Sequence, residues 1–279
     1  MKTQSQLADI LFPVQKVAMK DITGGIIGYG EKEYGVVGNI NGERRLLNVC
    51  SQRYNLIPNS EIFPQVEHTL SAAGINFERS VQHTDFEKFY VSYRLKEQHL
   101  SVGTKNDVIF PQLTIHHSYN GKLNFNVHAG FFRLICTNGL VVPLQGKEEF
   151  NMFRGGKHTP SINDALDMLV DWVNNFTSES QKLVTRFEVL TDKPVRNMAE
   201  RIEEVVNAVS ARTRLPKKTT EPAIDTAAHE MAQLGLVMGN DWLTYNAINK
   251  HLYDDKLNTI HNDIRMEIDT KVLDYVLAN

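Results

Sequence analysis

The 279-residue chain can bury a sizeable core as one large domain or two modest ones, and its 42% hydrophobic and 23% charged content is that of an ordinary globular protein. Thirty basic against thirty-three acidic residues leave a net charge of −3, so bulk charge gives no support to nucleic-acid binding and any such site must be a local patch. Cys50 and Cys136 are too few for a disulfide framework and read as reduced, buried thiols. The start of the chain lacks the apolar core and cleavage site of a signal peptide, and no apolar run approaches the about 18 residues that cross a bilayer. A cytoplasmic protein without a membrane partner is expected.

Residues 1–20 can form a short amphipathic helix through Leu7, Ile10, Leu11 and Val14, interrupted at Pro13. The glycine-rich stretch that follows has Gly24, Gly25, Gly28 and Gly30 but no Gly-Lys-Ser/Thr, and reads as turns between short strands and not as a phosphate loop. Strands are expected over 33–40 and 44–50, joined at Asn41-Gly42, with Arg44 and Arg45 directly after the turn. Ser60 is placed to cap a helix whose inner face holds Phe63, Val66 and Leu70, with Pro64 in the first turn and Gly74 as the stop. Alternation resumes at 76–82 and 86–95, where Phe89, Val91, Tyr93 and Leu95 are in step.

The strongest pattern is a hairpin over 108–140 around Asn120-Gly121. A two-residue loop would mix apolar and polar side chains on both faces, which a strand pair with one buried face does not tolerate. A three-residue loop, Tyr119-Asn120-Gly121, sorts them. Leu113 and Ile115 then share a face with Leu123, Phe125, Val127 and Ala129, and Gln112, Thr114, His116 and Ser118 share the other with Lys122, Asn124, Asn126 and His128. Gly121 stands where the loop wants a positive φ.

Helix signals take over in the second half. Ser161 caps a helix with Leu166, Leu169, Val170 and Val173, and Pro194 starts another with Met198, Ile202, Val205, Val206 and Val209. Residues 210–222 have no apolar periodicity and clustered positive charge, the pattern of a mobile loop. Further helices are expected at 223–238, 240–253 and 256–277. The fold class is α+β: a mostly antiparallel sheet with one early helix over 1–158, then a helical part over 159–279.

No motif names an activity. His116 and His117 are strand neighbours that point to opposite faces, so they cannot share a metal ion. Asp85, Glu87 and Asp107 are the only loose candidates for a nuclease carboxylate cluster. No catalytic residue, metal or cofactor is expected. Basic residues are more suggestive. Arg44, Arg45, Arg53, Arg94, Lys122 and Arg133 lie on or beside the predicted sheet, interleaved with Tyr54, Tyr90, Tyr93, Tyr119 and Phe131. A sheet face of cations, aromatics and amides such as Asn124 can grip phosphates and stack bases. The plainer reading has the cations solvating the sheet and the aromatics filling the core. Arg214 and Lys217 form a second basic patch, placed to touch a backbone or simply to solvate a loop.

Three fragments together resemble a family, the domain of unknown function 932 found in phage and plasmid proteins. They are Gln52-Arg53-Tyr54 with Ile57, Asn59 and Phe63; Arg133 to Leu140, with Cys136, Asn138 and Leu140 in step; and Trp242 to Ile248, with Tyr245-Asn246-Ala247. The stretch Phe77–Lys105 aligns poorly with that pattern. The family's sheet-then-helices layout is similar to phage single-strand annealing proteins, which act as oligomeric rings without a nucleotide cofactor. The resemblance therefore implies single-stranded DNA binding and annealing in phage or plasmid recombination, by a homo-oligomer. Arg53 and Arg133 are the first phosphate contacts it suggests, with Asn138 in a turn and Asn246 bonding buried backbone. The alternative is a non-enzymatic protein-interaction module of a mobile element, either an inhibitor of host defence or a replication partner.

Overall fold

A computed structural model describes residues 3–24, 32–97, 99–123, 125–134, 138–140, 182, 184–252 and 262–279. The fold is α+β, with antiparallel strand pairing and helices in the C-terminal part. Among the described residues no helix is long and apolar enough to cross a membrane. A sheet has the order β1 (Thr3–Ser5), β5 (Phe77–Thr84), β6 (Lys88–Leu95), β8 (Val108–Ser118), β9 (Asn126–Arg133), β10 (Asn138–Leu140), and β7 (Leu100–Ser101) pairs with β8. A second sheet has three strands, β2 (Val14–Ala18), β3 (Tyr34–Ile40) and β4 (Glu43–Cys50), in that order. The described residues divide into two compact units, one of residues up to Tyr93 with Leu113–His128, the other of Arg94–Gln112 and the residues from Ala129 onward. The expected boundary near 158 lies outside the described residues.

In the first unit, Pro13 ends helical structure early. The expected amphipathic helix is reduced to α1 (Leu7–Ile10) and the single turn α2 (Met19–Ile22), and Val14–Ala18 instead pairs antiparallel with β3. Leu7 and Ile10 still face the core. The Asn41-Gly42 turn forms as read, with φ of 54° and 85° and Ile40 opposite Glu43. Two successive positive φ values define the primed turn that fits strand twist, and the second is where glycine relieves the strain. The early helix, α3 (Asn59–Ala72), buries Ile62, Phe63, Val66 and Leu70 as its spacing requires. Its start differs from the expectation: Pro58 is the cap and Ser60 lies inside, because Asn59 is held by other bonds. The Asn59 backbone N–H donates to the Tyr119 hydroxyl at 2.8 Å, and Nδ2 donates to the Ile10 carbonyl at 3.0 Å.

The alternation of β6 and β8 is also observed. Phe89, Val91, Tyr93, Leu113 and Ile115 are buried, and His117 joins them on the core face while His116 is half-buried on the other. The three-residue loop is not observed. Gly121 takes φ +69°, but β8 stops at Ser118 and β9 begins only at Asn126. Side chains take over the backbone pairing in between. Ser118 Oγ donates to the Leu123 carbonyl and accepts from its N–H, both at 2.8 Å, and Asn120 Oδ1 accepts the Lys122 N–H at 3.0 Å.

In the second unit, Pro194 does not start a helix. Pro194 and Val195 form β11, paired with β12 (Gly239–Asn240), and α5 (Met198–Ser210) begins after Asn197, whose side chain accepts the Glu200 N–H. Ile202, Val205, Val206 and Val209 form its buried stripe. The helix expected from Ser161 lies outside the described residues. A helix α4 (184–191) contributes Phe187 and Leu190 to the core. Helices α6 (Thr220–Leu234) and α7 (Asp241–Leu252) match the expected segments within several residues, and α8 (Asn262–Ala278) matches the described part of the third, whose expected start at 256 lies outside the described residues. Residues 210–222, read as a mobile loop, hold a defined turn: Leu215 is buried, and Ser210 and Thr213 hydroxyls bond the Leu215 and Val209 carbonyls at 2.8 Å.

Candidate nucleic-acid interface

In the first unit three segments meet. The first is β4, where a register shift beside Val36 and Val37 inserts one extra residue, Leu47, and turns it inward, while Arg44, Arg45 and Leu46 stay exposed. The second is the turn Ser51–Tyr54, closed by the Tyr54 N–H donating to the Ser51 carbonyl at 3.1 Å. The third is the tip of the hairpin. Gly121 lies so close to β4 that a Cβ there would sit 3.2 Å from Asn48 Nδ2. The Tyr54 hydroxyl donates to the carbonyls of Ser118 and Tyr119, each at 3.4 Å. Burial, and then the neighbouring Cys50, push its phenol up to about 12, against the pull of an Asn48 hydrogen bond, so the ring stays neutral.

This junction presents Arg53 and Lys122 to solvent next to the amides Asn48 and Asn120, with Arg44 and Arg45 further along the same strand. Among the described residues none of these four cations has a side-chain hydrogen bond or ion pair. Tyr54 serves as a brace at this point. Asn124 lies outside the described residues. Glu87, once a loose nuclease candidate, accepts from Asn120 Nδ2 at 2.6 Å, and Asp85 sits in a turn with φ 50°.

The other candidates belong to the second unit. Arg94 is half-buried, with its guanidinium carbon 3.3 Å from the centroid of the Phe132 ring, a cation–π stack. Arg214 and Lys217 are exposed at the α5–α6 connection. Arg133 corrects the expectation. It is 0% exposed, and its guanidinium is used up inside the protein. Nε and Nη2 donate to the two oxygens of Asp107 at 2.7 and 2.6 Å, and Nη1 donates to Glu230 Oε2 at 2.5 Å. Asp107 also accepts from the indole Nε1 of Trp242 at 2.7 Å, and the indole ring lies 5.4 Å from the guanidinium. A phosphate cannot replace these partners without leaving two carboxylates buried and unpaired. Asp107 is likewise removed from the nuclease candidates. Asn138 corrects a smaller point, since it opens β10 opposite Arg133 and is not in a turn. Asn246 fits its structural reading: Nδ2 donates to the Trp242 carbonyl at 2.7 Å.

Sequence reasoning missed the buried polar groups around α7, because a helix buried on every side shows no amphipathic stripe. Asp269 on α8 accepts from Asn249 Nδ2 at 2.9 Å. Its burial raises the carboxyl to about 7, with bonds from Asn249 and Tyr245 pulling the other way. The run Asp241 to Asn249, unbroken in its burial and rich in amides, was the available signal.

The fold defines an α+β protein whose motif residues act largely as internal braces. The chain belongs to the family described as Domain of unknown function (DUF932), whose profile matches residues 46–270. Comparison with the curated proteins and with the solved structures finds no match. The three fragments noted above all fall within the matched residues. Two of them meet at one carboxylate, Asp107, through Arg133 and Trp242. The first braces the hairpin: the Ile57 carbonyl pairs with His117 Nε2 at 2.9 Å, and Asn59 is bonded to Tyr119.

Proposed function

We propose that the chain binds single-stranded DNA through the first unit, using Arg44, Arg45, Arg53 and Lys122 for phosphates and the nearby amides for base or sugar edges. The observation that supports this is the junction of β4, the Ser51–Tyr54 turn and the hairpin tip, where exposed cations with no side-chain partner among the described residues stand beside Asn48 and Asn120. From Arg45 to Asn48 the strand advances roughly 7 Å, because the extra residue sets three steps of β4 against the two from Gly38 to Val36. Arg214, Lys217 and the Arg94–Phe132 stack are additional contacts in the second unit. Strand annealing in phage or plasmid recombination, by a homo-oligomer without a nucleotide cofactor, is the process this binding serves. That step rests on the analogy drawn from the sequence between the family's sheet-then-helices layout and annealing proteins.

A second reading, a module that binds a protein partner, is favoured by Val237, which is 101% exposed beside the half-exposed Met238 in the α6–β12 connection. Fluorescence anisotropy with a labelled oligonucleotide, single-stranded or duplex, across a salt series separates the two. Binding that favours the single strand and weakens steeply with salt is expected. Absence of binding at low salt contradicts the DNA reading and favours the protein-partner one.

A further inference from the structure

Lys16 stands near the middle of β2, in a row across the three-stranded sheet with Val36 and Asn48. Tyr34 and Cys50, two residues along their strands, point to the same face. The Ser51–Tyr54 turn folds back over this face, and its carbonyls meet the lysine. Lys16 Nζ donates to the Gln52 carbonyl at 2.8 Å and to the Tyr54 carbonyl at 3.0 Å, and lies 5.2 Å from the centroid of the Tyr34 ring. Two carbonyls two residues apart are thus drawn to one ammonium. The residue between them, Arg53, is exposed. Lys16 also lies before the residues that match the family, so the part of the chain outside the match supports the turn inside it.

We propose that Lys16 is a positioning residue of the nucleic-acid interface: by gathering the Gln52 and Tyr54 carbonyls it holds Arg53 out toward a phosphate, an inference that rests on the single-strand reading above. The ammonium does not itself meet the phosphate, since two of its three donors are committed to the turn and an aromatic face covers it. Its effect on binding therefore passes through Arg53.

A double-mutant cycle tests this on the full chain with fluorescein-labelled oligo(dT) over a salt series. Lys16→Met keeps the apolar stem and removes the ammonium, and Arg53→Ala removes the contact. Each phosphate neutralised on a single strand contributes about 0.7 to the slope of log affinity against log salt. Arg53→Ala is expected to lower that slope by about 0.7, and Lys16→Met to weaken binding by no more than Arg53→Ala does. The double variant is expected to bind as Arg53→Ala does, within about twofold. Losses that multiply, with a slope lowered by about 1.4, would overturn the inference by making Lys16 a phosphate contact in its own right. So would a Lys16→Met chain that binds normally while Arg53→Ala is weakened. Lys16→Arg, which keeps a cation and two donors for the carbonyls, is expected to bind as the unsubstituted chain. A loss in that variant overturns the inference even if Lys16→Met does not fold. Failure of the unsubstituted chain to bind overturns the single-strand reading and this inference together, whereas the outcomes above overturn the inference alone.

Discussion

Arg53 in the first unit and Arg133 in the second both come from segments that match the family, and their surroundings are opposite. Arg53 is exposed within a turn whose carbonyls are tied to a lysine. Arg133 is sealed in the core between two carboxylates and an indole. A guanidinium left in water keeps its donors for a ligand. One that has been desolvated must spend them on internal partners, because an unpaired buried charge is far more costly. The first arrangement suits recognition and the second holds a unit together.

The sharpest way to break that contrast is Arg133→Ala. It leaves Asp107 and Glu230 buried without their cation, and the expected loss of unfolding stability is about 3–5 kcal/mol. Denaturant titration measures it, and a loss below about 1 kcal/mol would mean that the network is not a brace.

Next in size are two buried titrating groups with opposite signs, one in each unit. Burial holds His117 down at about 4 against an ordinary 6.5, while its bond to the Ile57 carbonyl pulls upward. The folded chain then binds fewer protons than the unfolded one between those values. His117 accordingly contributes stability above 6.5 that is lost as pH falls through about 4, on the order of 3 kcal/mol. Asp269 is raised from 3.8 to about 7, so its contribution is fully present below 3.8 and is lost as pH rises through about 7, on the order of 4 kcal/mol at most. Asp269→Asn is expected to remove the neutral-side loss, and His117→Gln the acid-side one. Unfolding free energies measured across pH check both, and pH curves that superimpose on that of the unsubstituted chain would contradict them.

Trp242→Phe keeps the aromatic packing against Phe187 and removes only the indole donor to Asp107. A cost of about 1.5–3 kcal/mol is expected, the size of a hydrogen bond to a charged group. At the small end, Arg53→Ala should change stability by less than about 0.5 kcal/mol in the same titration, as for an exposed residue outside any network.

What was legible in the sequence was local. The Asn41-Gly42 turn, the alternation of Phe89, Val91, Tyr93 and Leu95, and the helix stripes of Phe63, Val66, Leu70 and of Ile202 to Val209 depend on neighbours within a few residues. What was missed depends on distant partners. Val14–Ala18 is a strand because β3 lies beside it, and Pro194 is in a strand because Asn240 pairs with it. Arg133 is buried because its carboxylates come from positions 26 and 97 residues away. The hairpin shows both sides. Its core face followed from alternation, but its loop was reshaped by the hydroxyl of Ser118, a bond that periodicity does not encode. In the candidate interface, the exposed cations of β4 and the turn were legible from charge beside strand signals, whereas the bonds of Lys16 to the turn carbonyls and the closeness of Asn48 to Gly121 were not.

The proposed function assigns nucleic-acid binding to the first unit's exposed cations and not to the buried arginine of the second. The most direct test is anisotropy with labelled single-stranded oligonucleotide over a salt series, comparing the unsubstituted chain with a variant in which Arg44, Arg45, Arg53 and Lys122 are all alanine. An unchanged thermal midpoint and a salt slope shallower by up to about 2.8, four contacts at about 0.7 each, are expected. A variant that binds with the original affinity and slope would contradict that assignment.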